Sequence, residues 1–463
     1  QEHLYSTLFT SGQVLVERHG PPEVTEALTE ALRLQWSYGF PYTPRTLPLL
    51  THAFGAYPAG MQAAAAHHLL KTVLPGRTVF DPFLGGGTVV VEALRAGRLG
   101  IGSDISPLAL FVARGRSWTA SDMELEELCE ASRSICAAAA TKLGDARSRQ
   151  VSGQDWEVIR SEISKYLAAK EAREGRLEDG LRDGLWFLFA VAGGRAAKAR
   201  RRPNNGNIVA HRFFHSVCIQ YISTVKRLTS TSFPQKPLIF RRDARLPLAK
   251  HNLKSLVGGR DGESEFETPA YVVGGSTNTD PSGEGVKGEQ GIPCGLVVDT
   301  VLTSPPYPGV YDYLSHARLT RSKLGCLSTT SCRGGGNDAS LFLDPVPSGR
   351  NWASAWTVGE VGARSEVRRR RRSEASSDNH DAKWGNDQKD WLLATTGVLR
   401  AGGRLGVMIG DGDGIDTRSS LLRTVEMLGK EAALEVVGWV TLRAAEGTRR
   451  SMRTEHLVLL EKS

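Results

Sequence analysis

The stretch Asp81-Pro-Phe-Leu-Gly-Gly-Gly-Thr88, hereafter the glycine turn, decides the fold predicted for this chain. Residues 78–80 before it predict a short strand, and residues 89–95 after it predict a helix. Residues 99–103 predict a second strand, which ends at Asp104. A strand, a glycine-rich turn, a helix and a strand in this order form one βαβ unit, so we expect an α/β protein built on a parallel sheet.

The composition is that of an ordinary globular protein. The chain has 463 residues, of which 40% are hydrophobic and 23% charged, enough for one large or two modest domains. Its net charge of +8 suits a polyanionic partner. The six cysteines form no CxxC pair, which favours reduced thiols over disulfides or a zinc site.

The sequence also bears on location. No apolar run approaches the roughly 20 residues of a membrane span, and we identify no cleavable signal peptide. We therefore expect an intracellular protein without a membrane partner. Its compartment would be the nucleus or an organelle in a eukaryote, and the cytoplasm or nucleoid in a prokaryote.

Later segments extend the α/β pattern. Further strands are expected over residues 237–240, 296–303, 404–409, 434–443 and 455–461, the last two as an antiparallel hairpin. The predicted division of the chain is an N-terminal preface at 1–50, a cofactor-binding half at 51–119, a helical insertion at 120–235, a catalytic half at 236–325 with a flexible insertion at 257–292, a polar, Arg-rich insertion at 326–385, and a C-terminal part of the sheet at 386–463.

The glycine turn has the chemistry of a ligand-binding loop. Glycines adopt positive φ and let a ligand approach the backbone closely, and the helix that follows offers free N–H groups at its positive end. Asp104 ends the next strand, where an acidic residue accepts hydrogen bonds from ribose hydroxyls in nucleotide-binding folds. The alternative is a glycine-rich turn of some other α/β enzyme.

A second motif, Thr303-Ser-Pro-Pro-Tyr307, follows the predicted strand 296–303. Together the two motifs resemble those of the amino-methylating DNA methyltransferases, which make N4-methylcytosine or N6-methyladenine. Residues 52–61 and 242–247 add to the likeness. The resemblance covers roughly residues 50–115, 237–250, 296–325 and 390–463, and it implies a Rossmann-like methyltransferase sheet that uses S-adenosyl-L-methionine (SAM) on DNA.

The resemblance also implies residue roles. It assigns cofactor binding to Tyr57, Pro58, Asp81, Pro82, Phe83, Gly85, Gly87, Thr88, Asp104, Ile105 and Asp243, the last through the adenine amino group. It assigns catalysis to Ser304, Pro305, Pro306 and Tyr307. It requires no metal and no covalent intermediate.

The chemistry explains why such a loop is needed. The amino nitrogen of cytosine or adenine is a poor nucleophile because its lone pair is delocalised into the ring. The Ser304 hydroxyl and the Pro305 carbonyl would accept its hydrogens and favour a tetrahedral nitrogen, on a loop that the prolines keep rigid. Tyr307 would stack on the flipped base. The alternative is a proline-stiffened turn at a strand end.

Several alternatives remain open on the sequence alone. Serine at position 304 slightly favours cytosine N4 over adenine N6 within the family. An RNA enzyme acting on guanine N2 of tRNA, a non-catalytic module that binds SAM or nucleic acid, and a protein-glutamine methyltransferase are the other hypotheses.

Three further features contain residue types that can bind phosphates or metal ions. The basic runs 195–202 and 368–372 suit phosphates, solvated surface or, in a eukaryote, a nuclear localisation signal. His211 and His215 lie one helical turn apart but have no evident third ligand, which favours a surface or core pair over a metal site. Residues 411–414 (Asp-Gly-Asp-Gly) lack the distal Glu of a calcium loop, which favours a loop at the edge of the sheet.

Overall fold

The structure is a computed structural model. It describes residues 14–36, 50–55, 57, 60–144, 153–175, 179–199, 209–231, 236–241, 244–245, 297–308, 377–412, 414–444 and 454–463. The strands are β1 (Val14–His19), β2 (Thr78–Asp81), β3 (Leu99–Asp104), β4 (Leu238–Arg241), β5 (Val298–Thr303), β6 (Leu399–Gly410), β7 (Leu434–Ala444) and β8 (Thr454–Lys462). The α-helices are α1 (Pro22–Trp36), α2 (Ala63–Thr72), α3 (Thr88–Arg95), α4 (Pro107–Ser117), α5 (Asp122–Leu143), α6 (Gly153–Glu174), α7 (Asp179–Ala199), α8 (Ala210–Thr229), α9 (Ser377–Thr396) and α10 (Thr417–Leu428), with 3₁₀ turns at Leu50–Ala53 and Gly429–Glu431.

The strands form one mixed sheet in the order β1-β7-β8-β6-β5-β2-β3-β4. The neighbours from β4 to β6 are parallel, and β8 pairs antiparallel with both β6 and β7. This arrangement confirms the predicted fold class, an α/β Rossmann-like sheet. The expected antiparallel hairpin is β7 and β8, and β1 lies beyond it as the edge strand.

Alternating strand residues supply two cores, one on each face of the sheet. Phe80 and Val301 point to the face covered by α9 and α10, and their chain neighbours Val79 and Leu302 point to the face covered by α1, α2 and α3. Because both faces are covered, the parallel strands are buried apolar runs. With both faces covered, a site can form only in the loops at the strand ends, and in open α/β sheets ligands bind at the carboxyl ends.

Helices α5 to α8 follow α4 and precede β4 in the chain, and they pack around a core of their own. Its largest fully buried members include Phe187, Phe214 and Tyr221. Phe214, Val217 and Tyr221 lie on the apolar face that the spacing in α8 predicts. Trp118 and Phe111 connect this core to α4, so the helical block is anchored beside the glycine turn.

Two predicted segments contain elements that their sequence pattern does not indicate. Within the preface predicted at 1–50, β1 pairs with β7 at the edge of the sheet and α1 packs on the sheet through Leu28, Leu32 and Trp36. Within the Arg-rich insertion predicted at 326–385, α9 begins at Ser377. The polar sequence of this segment does not indicate a helix. The helix is stabilised by Trp384 and Trp391, which are buried against the sheet.

No described helix combines the length and the apolar character needed to cross a membrane.

Candidate active site

The glycine turn and the loop at residues 304–307, hereafter the proline loop, leave the same edge of the sheet. The strand order reverses between β2 and β5, because β3 and β4 continue to one side of β2 and β6 lies on the far side of β5. In open α/β sheets, ligands bind at the carboxyl ends of the strands at such a switch point. One motif follows β2 and the other follows β5, so both border this crevice.

A hydrogen bond joins the two strand ends. The Thr303 hydroxyl donates to Asp81 Oδ1 at 2.7 Å, and the backbone N–H of Phe83 donates to the same oxygen at 3.1 Å. Asp81 is buried, and burial raises its pKa to about 7, although the hydrogen bonds from Thr303 and Phe83 oppose the shift. The Asp81 carboxyl therefore fixes the proline loop to the glycine turn.

The glycine turn requires its glycines at two positions. Gly85 and Gly87 have φ of 50° and 77°, in the region that favours glycine. A Cβ at Gly87 would lie 2.8 Å from the Ala113 Cβ of α4, so the turn is also held against that helix. Gly87 is the N-cap of α3, and no side chain caps its first N–H groups; such groups at a helix start can bind an anionic group.

Asp104 holds the other side of the glycine turn. Its Oδ2 accepts from the Gly85 N–H and its Oδ1 from the Ser106 N–H, both at 2.8 Å. Burial raises the pKa of Asp104 to about 6, and backbone N–H groups, including that of Ile105, oppose the rise. Because a carboxylate has about four lone-pair sites, Asp104 keeps acceptor capacity for a ligand hydroxyl.

Three other predicted cofactor residues belong to the turn itself. Pro82 is buried, and its carbonyl oxygen is 3.4 Å from the Ser103 hydroxyl. Phe83 packs edge-on against Trp391, with ring centroids 5.6 Å apart. Thr88, the first residue of α3, is buried.

Tyr57 brings the segment before α2 against the same turn. A Cβ at Gly85 would lie 3.3 Å from the Tyr57 ring, and one at Gly86 would lie 2.9 Å from the Tyr57 Cβ. Pro58 and Asp243, also predicted to bind the cofactor, lie outside the described residues.

The proline loop places one aromatic ring over the next strand. Pro305 is buried, whereas Ser304, Pro306 and Tyr307 are partly exposed. A Cβ at Gly410, the last residue of β6, would lie 2.5 Å from Tyr307 Cε2. The Tyr307 ring thus rests on the backbone of β6, in space that only a glycine leaves open.

Two buried charged groups near the site were missed by the sequence analysis. Arg116 of α4 donates to the carbonyls of Phe54 at 2.8 Å and Gly86 at 3.0 Å, and also to that of Gly55. Arg116 lies in the last turn of α4. A basic residue there is usually solvent-exposed, so the sequence does not indicate that this one is buried.

The second missed group is Glu92 of α3, whose side chain is fully buried. It lies 2.7 Å from His52 Nε2 and 3.1 Å from His67 Nδ1. Burial alone would raise the pKa of Glu92, but the contacts with His52 and His67 and the charge of Arg95 lower it to about 2. These contacts tie α2 and the segment before it to the helix that starts at the glycine turn.

Arg195 of the first basic run and His215 of the histidine pair have partners within the protein. Arg195 donates to the Ala53 carbonyl at 3.0 Å. Residues 200–202 of the first basic run and residues 368–372 lie outside the described residues. His215 Nδ1 is 3.0 Å from the Ser132 hydroxyl within the helical block. Among the described residues, no third metal-ligating group joins His211 and His215.

Asp411 lies directly after β6, at the edge of the sheet where the sequence favoured a loop. Ligand atoms of Asp411, Asp416 and His456 lie within 4.8 Å of one another. Asp411 Oδ1 accepts from the Thr417 N–H at 2.9 Å and is 2.8 Å from His456 Nε2. Hydrogen bonds within the protein account for this arrangement, and we assign no ion to it.

The buried Asp81 carboxyl predicts a pH-dependent stability. A folded-state pKa near 7 lies above the ordinary value of 3.8, so its stabilising effect is complete below the unfolded pKa and is lost as pH rises through about 7. In Asp81→Asn, which keeps an acceptor for Thr303 and Phe83, that loss disappears. Denaturant unfolding from about pH 4 to 8 should show the variant gaining a few kcal/mol relative to the wild type. A stability difference that is constant with pH contradicts the prediction.

Comparisons with known proteins add one likeness. No protein-family model and no curated protein matches the chain. One matching solved structure is the rRNA methyltransferase AviRa from Streptomyces viridochromogenes, with 11% identity, coverage of 88% of this chain and 89% of that chain, and a TM-score of 0.30. A TM-score this low does not indicate a shared fold.

Proposed function

We propose that this chain is a SAM-dependent methyltransferase that moves a methyl to the exocyclic amino group of a DNA base, with cytosine N4 slightly favoured over adenine N6. The observation that carries the proposal is the hydrogen bond between Thr303 and Asp81 at the switch point of the sheet. It holds the glycine turn and the proline loop at one crevice, and methyl transfer needs a cofactor and an amine brought together in this way.

The described residues fit the cofactor. Gly85 and Gly87 allow the tight positive-φ turn, and the start of α3 offers N–H donors for a carboxylate. Asp104 would accept hydrogen bonds from the ribose hydroxyls, and Asp81 would keep the turn in its binding shape through its bonds with Thr303 and Phe83. When bound, SAM supplies an electrophilic methyl on its sulfonium.

The proline loop would prepare the nucleophile. The Ser304 hydroxyl and the Pro305 carbonyl would accept the two amino hydrogens of the base and hold its lone pair toward the methyl. Tyr307, supported from behind by Gly410, would stack on the base. Because the prolines and Gly410 fix these groups in advance, catalysis comes mainly from positioning.

The proposal and its main alternative differ in the substrate, which is DNA in the proposal and RNA in the alternative. The net charge of +8 suits DNA and RNA equally. DNA is favoured by serine at position 304, since the related tRNA guanine-N2 enzymes usually have Asp or Asn there.

Methyl-labelled SAM should therefore be incubated with the wild type and with duplex DNA, single-stranded DNA, tRNA or rRNA in parallel. We expect label in DNA and none in RNA. Label in RNA alone supports the RNA alternative, and cofactor binding without transfer to any polymer supports a non-catalytic binding module.

A further inference from the structure

Arg116 is a buried cation beside the glycine turn. Its side chain belongs to α4 and the residue is 8% exposed. The guanidinium donates to three backbone carbonyls, those of Phe54, Gly55 and Gly86. Among the residues that the structure describes, no carboxylate forms an ion pair with it. Arg116 is therefore solvated by peptide dipoles but not neutralised.

An uncompensated buried charge is costly. Buried charges in proteins are normally paired or bound to an ion, because removing a charge from water costs several kcal/mol even after relaxation. Burial lowers the pKa of Arg116 to about 10, and no carboxylate opposes the shift. A guanidinium carries five N–H donors, so donors beyond those used by the carbonyls remain for an anion.

The position of Arg116 indicates which anion that is. Its Nη1 bonds the carbonyl of Gly86, in the middle of the glycine turn, and a Cβ at Gly86 would lie 2.6 Å from this nitrogen. Tyr57, a predicted cofactor residue, contacts the same glycine. A ligand on the turn thus lies within the field of the cation, which low local dielectric strengthens.

We propose that Arg116 is a cofactor-specificity residue that compensates the carboxylate of the amino-acid part of SAM and so selects ligands that retain this carboxylate. The inference rests on the proposed function, because it takes the cofactor to be SAM. A purely structural role, fastening residues 54–55 to the glycine turn, is the competing explanation. The two differ in one respect: only the electrostatic role distinguishes ligands by their carboxylate.

The test is a binding cycle with two ligands. S-adenosylhomocysteine (SAH) and its decarboxylated analogue, which keeps the ammonium, are titrated calorimetrically into the wild type, Arg116→Gln and Arg116→Lys. Truncating one partner of a buried charge pair costs roughly 30-fold or more in affinity. We expect Arg116→Gln to lose about that factor for SAH but less than about three-fold for the analogue, and Arg116→Lys to lose less.

The control is Arg114→Gln on the same helix. Arg114 Nη2 bonds the Ile239 carbonyl at 3.3 Å, away from the glycine turn. This variant should bind both ligands as the wild type does.

Two results overturn the proposal. Equal losses for both ligands in Arg116→Gln show a structural role. The wild type itself must prefer SAH over the analogue by about 30-fold, and equal wild-type affinities refute the inference even if a variant fails to fold. A wild type that binds neither ligand instead contradicts the proposed function.

Discussion

Ser304→Ala is expected to lower kcat for methyl transfer about 100- to 1000-fold, the usual cost of removing one preorganised polar group that acts on the transition state. Ser304 lies at the end of β5, is partly exposed, and adjoins Thr303, which anchors the loop to Asp81. Because the anchor is untouched, the loop should keep its shape. Single-turnover kinetics measure the rate of methyl transfer, and titration with the cofactor measures its Kd.

The cofactor Kd of Ser304→Ala should stay within about two-fold of the wild type, since the hydroxyl acts on the base and not on SAM. Ser216→Ala is the matched control, because the exposed Ser216 hydroxyl on α8 donates to the Phe213 carbonyl of its own helix. Full activity in Ser304→Ala, or a loss explained entirely by weaker cofactor binding, removes Ser304 from the catalytic role.

Asp104→Ala is expected to weaken cofactor binding about 100-fold, as the loss of hydrogen bonds to a charged acceptor predicts. The change removes the acceptor for the ribose and also frees the N–H groups of Gly85 and Ser106, so the glycine turn loses its support. Calorimetric titration with SAH measures the loss, and thermal unfolding reports whether the fold survives.

Asp299→Ala provides the control for Asp104→Ala. Asp299 also accepts backbone N–H groups, those of Arg77 and Thr78, but it lies at the opposite end of the parallel strands. Its replacement should lower stability without changing the cofactor Kd. If both variants lose affinity equally, Asp104 contributes through the fold alone and its assignment to the ribose fails.

Much of the sheet could be predicted because its signals are local. The apolar runs that became β2, β3 and β5 are each followed by a turn with distinctive residues, and buried parallel strands need such continuous apolar segments. The segments β1 and α9 could not be predicted in the same way. Their order depends on pairing with β7 and on the burial of Trp384 and Trp391, which are contacts distant in sequence.

The candidate site shows the same division. Glycines and an acidic residue at a strand end carry a recognisable pattern, so the glycine turn and Asp104 could be singled out. Contacts that depend on the fold could not, among them the hydrogen bond from Thr303 to Asp81 and the Tyr307 ring over Gly410. The burial of Arg116 could not be predicted for the same reason, since it results from the approach of α4 to the glycine turn.

The position of the transferred methyl group tests the central claim most directly. After incubation of the wild type with SAM carrying a deuterium-labelled methyl group and with DNA, the DNA is digested to nucleosides. These are separated by chromatography and identified by mass spectrometry against authentic standards. The account predicts label on the exocyclic nitrogen, as N4-methylcytosine or N6-methyladenine, and its loss in Ser304→Ala. Label on a ring carbon or ring nitrogen, or no label from a wild type that binds SAM and the DNA, would contradict it.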